Sequence, residues 1–276
     1  MTDFRLRSIL GKSLQAPLQN VRIQLIGYCA FVIGPWLVFY ALQTIQLGQL
    51  AEETATTSVG FTIIGSIVLI VFYAAFAVLV HRSVAGVSKP WQLGRSTVEY
   101  IFATIYTLLL VSVPYAVFMW ITWDLFIEAR TDFFSRAAHD LISGAFFAAI
   151  SARLILALPA AALGRDKPIR RSVRITREHS VDLFLGVFFT TSVVALLGSI
   201  SSYYLVPLVT GCPFTYGASP EDICAVPQVI SVLMPITSSA LAYFFVVFSV
   251  SFLTHAFLAL DVDDPFDLPE AEMSST

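Results

Sequence analysis

The chain has 276 residues, of which 57% are hydrophobic and 13% charged, with a formal net charge of −3. A soluble domain carries about 25% charged residues, so this composition excludes an ordinary water-soluble globule. Net charge itself says little here, because in a membrane protein the position of each charge matters more than the sum.

Six apolar runs reach the length of about 20 residues that crosses the hydrocarbon layer of a bilayer. They lie near 23–45, 60–80, 98–122, 141–163, 182–208 and 228–260. Each is continuously apolar rather than alternating, which predicts helices and not barrel strands. The expected fold is an all-α integral membrane protein. Its six transmembrane helices pair as three hairpins, about 1–80, 81–163 and 164–260, in one domain over 1–260. The first run begins near Ile23, is longer than a signal-peptide core and has no small-residue cleavage pattern, so no cleaved signal peptide is expected.

Positive charge alternates along the connections. Arg5, Arg7, Lys12 and Arg22 precede the first run. Arg82, Lys89 and Arg95 lie between the second and third. Arg165, Lys167, Arg170, Arg171, Arg174 and Arg177 lie between the fourth and fifth. The segments 46–59 and 209–227 have no Lys or Arg, and 123–140 has Arg130 and Arg136 among four carboxylates. The positive-inside rule then predicts that both termini are cytoplasmic.

The basic lead-in segments "FRLRSILGKSLQ", "VSKPWQLGRSTVEYIF" and "RDKPIRRSVRITREHSVDLF" mix Arg and Ser with apolar residues at helical spacing. They are expected to form short amphipathic helices in the cytoplasmic headgroup layer. In the first, Leu6, Leu10 and Leu14 make an apolar line. In the third, Pro168 suits a first helical turn, and Arg170, Arg174 and Arg177 share a face at i, i+4, i+7. With Arg171 they are candidate contacts for anionic headgroups, although any six-helix protein needs such charges as topology signals.

On the outer side, "WDLFIEARTDFFSRAAHD" (123–140) is long and amphipathic enough for a surface helix, and Trp120, Trp123, Tyr203 and Tyr204 suit an aromatic belt. Cys212 and Cys224 fall in the outer loop 209–227, where an oxidising compartment favours a disulfide. Closing so short a loop contributes roughly 3 kcal/mol in the chain-entropy model. The rival reading, a metal site, has only Glu221 and Asp222 as further ligands. The tail 261–276 carries six acidic residues and no base. It reads as a disordered solubilising segment that could also fold back on the 165–177 patch.

One cation interrupts a span. Arg153 lies about ten residues, or roughly 15 Å, from the cytoplasmic end of the fourth run. Exposure to lipid at that depth costs about 2.5–3.5 kcal/mol. Ala149, Ala157 and Ala160 share its face on a continuous helix, which predicts an arginine turned into the bundle or into a wet cavity. Two roles stay open: joining helices through hydroxyls and proline-freed carbonyls, or attracting an anion.

Residues 152–188, "ARLILALPAAALGRDKPIRRSVRITREHSVDLFLGVF", resemble a broad bacterial membrane family. It includes the membrane domain found beside some glycerophosphodiester phosphodiesterases and the YciC-like inner-membrane proteins. The likeness rests on Arg153, Pro159, Ser172, Ile175 and Thr176, and it implies a six-helix inner-membrane protein. Gly164 and Arg165 stand where relatives often have an acidic residue. The chain has no phosphodiesterase domain, so that activity is not implied.

No zinc helix, nucleophile turn or glycine-rich phosphate loop occurs, and His81, His139, His179 and His255 lack partners at ligand spacing. No catalytic residue, metal or cofactor is expected, and no nucleic-acid partner. The expected function is a non-enzymatic inner-membrane protein that interacts with lipids, with subunits of a membrane complex or with its own copies. The alternative is a permease for a small anionic or lipid-like substrate with Arg153 in its path.

Overall fold

The computed structural model describes residues 6–19, 21–35, 37–38, 56–92, 94–122, 133–200 and 228–261. Among them every regular element is helical. These are α1 (Leu6–Gln15), α2 (Val21–Tyr28) running into a π-helical turn (Cys29–Ile33), α3 (Thr56–Val84), α4 (Arg95–Ile121), α5 (Phe133–Ser151), α6 (Ala157–Ala162), α7 (Pro168–Ile175), α8 (Ser180–Ile200) and α9 (Gln228–Leu260). Two described helical stretches, α4 and Tyr243–Leu260 of α9, are long and apolar enough to cross a membrane. Shorter apolar helices at Val21–Ile33, Val68–Val84, Ala137–Ser151 and Ser180–Val193 overlap the other four expected spans. Only 17% of the apolar window of α4 is buried, against 50% for that of α9, so α9 is central and α4 peripheral.

Two apolar clusters make the core. One joins α2, α3, α4, α6 and α9 around Phe76, Leu79, Tyr100 and Val247. The other joins α1, α5, α6, α8 and α9 around Leu156, Leu183, Phe252 and Phe257. Short α6 belongs to both. Ala161 and Ala162 face the first cluster and Ala160 the second, all without solvent exposure. Alanine allows such close approach from several sides, because small side chains let helix backbones meet.

The fourth expected span is not one helix. It stops at Ser151, passes through turns at 152–156 and resumes at Ala157. Pro159 explains the break. It has no amide hydrogen for the Ile155 carbonyl, and its ring would clash there in a regular helix. The Ile155 carbonyl instead accepts from the Leu158 amide at 3.2 Å, and the Ala157 amide turns to Leu154 at 2.9 Å. That leaves the Arg153 carbonyl without its helical partner, and the Ser172 hydroxyl donates to it at 2.7 Å. Three of the residues carrying the resemblance are thus involved at the break: Pro159 interrupts the helix, and Arg153 and Ser172 meet.

Two of the three lead-in segments form short helices, α1 and α7, and the middle one does not. In α1 Leu6 and Leu10 of the expected apolar line pack on the second cluster beside buried Ile9, Ser13 and the following Ala16, whereas Leu14 is left 46% exposed. The α1 helix packs on α9, and the Ser13 hydroxyl satisfies itself on the Ile9 carbonyl at 2.7 Å. The second segment makes no separate helix. Gly86, at φ 75°, closes the end of α3, a turn holds Trp91 and buried Pro90, and α4 begins at Arg95. The Arg82 guanidinium ties this loop by donating to the Gln92 carbonyl. In 123–140, residues from Phe133 onward form the first turns of α5, while 123–132 lie outside the described residues.

Candidate functional site

The basic segment is shaped by two backbone features. At the end of α6, the Gly164 amide bonds Ala161 and the Arg165 amide bonds Ala160, at 3.0 and 2.9 Å. This is a Schellman closure with glycine in the left-handed position it suits, φ 70°. Lys167 is also left-handed, at φ 49°, immediately before Pro168 at the first turn of α7. A side-chain-bearing residue held in that conformation costs about 1–2 kcal/mol relative to the right-handed one. Glycine would sit there without strain, so the position retains an ammonium at a conformational cost.

Helix α7 then sorts its residues. Arg171, Ser172 and the following Thr176 are buried, whereas Arg170, Arg174 and Arg177 are exposed. Arg170 and Arg174 stand one turn apart on the exposed side of α7, with Val173, 44% exposed, beside them, whereas Arg177 is exposed beyond the end of the helix at Ile175. Arg171 departs from its candidate role as a headgroup contact. Its Nε donates to Asp261 Oδ1 at 2.6 Å, and Arg165 Nε lies 3.5 Å from Asp261 Oδ2. The three side chains are 7%, 11% and 5% exposed, so this is a buried cluster rather than a surface pair. It fastens the end of α9 to the α6–α7 junction. Asp261, first residue of the acidic tail, folds back on the basic segment, and the rest of the tail lies outside the described residues.

Two hollows flank the junction. One, of about 580 Å³, lies between α4 and residues 165–169, with Arg95, Glu99, Arg165, Asp166 and Lys167 at its polar end. The other, of about 330 Å³, is lined by Asp166, Lys167, Arg170, Arg171 and Arg174. Arg95 Nε bonds Glu99 Oε1 at 2.7 Å across one turn of α4.

The Arg153 side chain is exposed, correcting the expectation that it points into the bundle. The prediction assumed a continuous helix. With the break, Ala148, Ala152 and Leu156 form the buried side, while Ala149 and Arg153 face outward. Arg153 lines neither hollow. Cys212 and Cys224, and with them the expected disulfide, lie outside the described residues, and Cys29 is a free thiol.

One feature of the interior escaped sequence reasoning. His81 is fully buried between α3 and α9, with its Nδ1 2.7 Å from Thr254 Oγ1. The Thr254 hydroxyl already gives its hydrogen to the Val250 carbonyl at 2.8 Å. With the hydroxyl hydrogen directed to Val250, the imidazole donates through Nδ1. A histidine closing an apolar run carried no signal that its partner lay 173 positions away. Among the described residues no three His, Cys, Asp or Glu side chains converge as a metal site.

The fold and this junction define a helical protein with membrane-length apolar helices and a basic hinge at one end. No family model, curated protein or solved structure matches the chain.

Proposed function

We propose that the chain is a non-enzymatic, multi-pass bacterial inner-membrane protein of the YciC-like kind. It has six spans and cytoplasmic termini, and its segment 165–177 lies in the headgroup layer and binds anionic phospholipid. The observation that carries this reading is the division of charge on α7. Arg171 is neutralised internally by Asp261, while Arg170 and Arg174 stay exposed on α7 and Arg177 is exposed just beyond its end. Each basic residue near an anionic membrane surface contributes about 1 kcal/mol of attraction. Arg153 neither faces the bundle interior nor lines either of these two hollows, so the permease alternative draws no support from its placement.

Native mass spectrometry of protein released from bilayers with equal phosphatidylglycerol and phosphatidylethanolamine tests the reading. The natural chain should carry an excess of phosphatidylglycerol adducts at low salt. Arg170→Ala with Arg174→Ala should reduce that excess by roughly tenfold or more. An excess that survives the double substitution, or none in the natural chain, rejects this role for α7.

A further inference from the structure

The larger hollow combines a polar mouth with an apolar floor. Above the mouth, Phe102, Tyr106 and Leu109 of α4 form a row at i, i+4, i+7 along the hollow, and they are 67%, 47% and 62% exposed. From Phe102 to Leu109 the row rises roughly 10 Å along the helix. A volume of about 580 Å³ falls in the range of small-ligand sites. It accommodates a headgroup and the upper part of one acyl chain, with the remainder in the surrounding bilayer.

The mouth is not uniformly basic. Arg95, Arg165 and Lys167 alternate with Glu99 and Asp166. A purely anionic headgroup would lie against Asp166 and the Glu99 carboxylate that Arg95 already pairs, whereas one with its own ammonium meets both carboxylates favourably. Arg165 adds an independent observation. Its Nη1 is buried and has no hydrogen-bond partner among the described residues. Leaving such a donor unsatisfied is costly, and a phosphate oxygen is a strong acceptor for guanidinium. Lys167 lines the same mouth from its strained backbone position.

We infer that this hollow holds one phospholipid with an aminoalkyl-phosphate headgroup. Its phosphate lies on Arg165 and Lys167, its ammonium on Glu99 and Asp166, and one chain along Phe102–Tyr106–Leu109. The site rests on the reading of segment 165–177 as lying at headgroup depth, but it is distinct from the exposed arginine face of α7.

The same equal-lipid bilayers, read at rising collision energy, provide the test. One phosphatidylethanolamine should remain bound after the other adducts are stripped. Glu99→Gln with Asp166→Asn, both outside the apolar core, should shift the retained lipid toward phosphatidylglycerol by about fivefold. Its melting midpoint in detergent should stay close to that of the natural chain. Arg170→Ala with Arg174→Ala should leave this last lipid in place. A last adduct without headgroup preference, or a preference untouched by Glu99→Gln with Asp166→Asn, overturns the site. If the phosphatidylglycerol excess is absent while the single phosphatidylethanolamine persists, the α7 reading fails and the hollow stands.

Discussion

Asp261→Ala should cost the folded protein about 3–5 kcal/mol, read as a lowered denaturation midpoint in detergent. The carboxylate is 5% exposed and serves two guanidiniums, at 2.6 Å to Arg171 and 3.5 Å to Arg165. Removing it leaves both cations buried against their own repulsion, where desolvation is no longer offset. It also releases the end of α9 from the α6–α7 junction. Arg170→Ala is the matched control, because that side chain is exposed, and its effect should stay within about 0.5 kcal/mol. Asp261→Asn should fall between the two, since an amide oxygen still accepts a hydrogen bond but carries no charge. Equal midpoints for Asp261→Ala and Arg170→Ala would show that the cluster contributes nothing to stability.

Phe252→Ala should be comparably damaging, at about 3–5 kcal/mol. Phe252 is 1% exposed and its ring lies over Gly186 of α8, where α1 also arrives. A Cβ built at Gly186 would come within 2.8 Å of Phe252 Cε2 and 3.1 Å of Leu6 Cδ1. Gly186→Ala is therefore an overpacking change, expected to cost about 1–3 kcal/mol. The two substitutions act on one contact in opposite senses, so the double variant should be less damaged than the sum of the singles. The methyl group at 186 then occupies space the ring has vacated. Strict additivity would mean that Gly186 and Phe252 do not pack against each other.

Helical class was legible in the sequence, because apolar runs near 20 residues with polar punctuation allow few other structures. The exposed pair Arg170 and Arg174 was legible too, since i, i+4 spacing depends only on helix geometry, but α7 ends at Ile175 and leaves Arg177 beyond it. The orientation of Arg153 was not. The alanine-face argument projected positions 149, 153, 157 and 160 onto one helix, and Pro159 disrupts that projection by removing a single amide. Pro159 was noticed, yet its effect on the register upstream depends on where the freed carbonyls find new donors. One of those donors, Ser172, lies 19 residues on. Arg171 shows the same limit. Nothing in "PIRRSVRI" separates it from Arg170, and only the arrival of Asp261, 90 residues later, turns it inward. The threefold likeness of the lead-in segments extended to composition, but Gly86 and Pro90 stop the middle one from becoming a helix.

The central claim, that segment 165–177 lies in the cytoplasmic headgroup layer, is tested most directly by depth-resolved quenching of a label on α7. Val173 is 44% exposed and stands beside the basic face, so Val173→Cys places a fluorophore there without removing a charge. Signal from the parent chain, labelled identically, is subtracted to account for Cys29, Cys212 and Cys224. The label should be quenched more strongly by headgroup-attached than by deep acyl-chain quenchers. An impermeant thiol reagent should block it only from the cytoplasmic side of membrane vesicles. A label quenched by neither lipid, or blocked from the opposite side, would contradict the account.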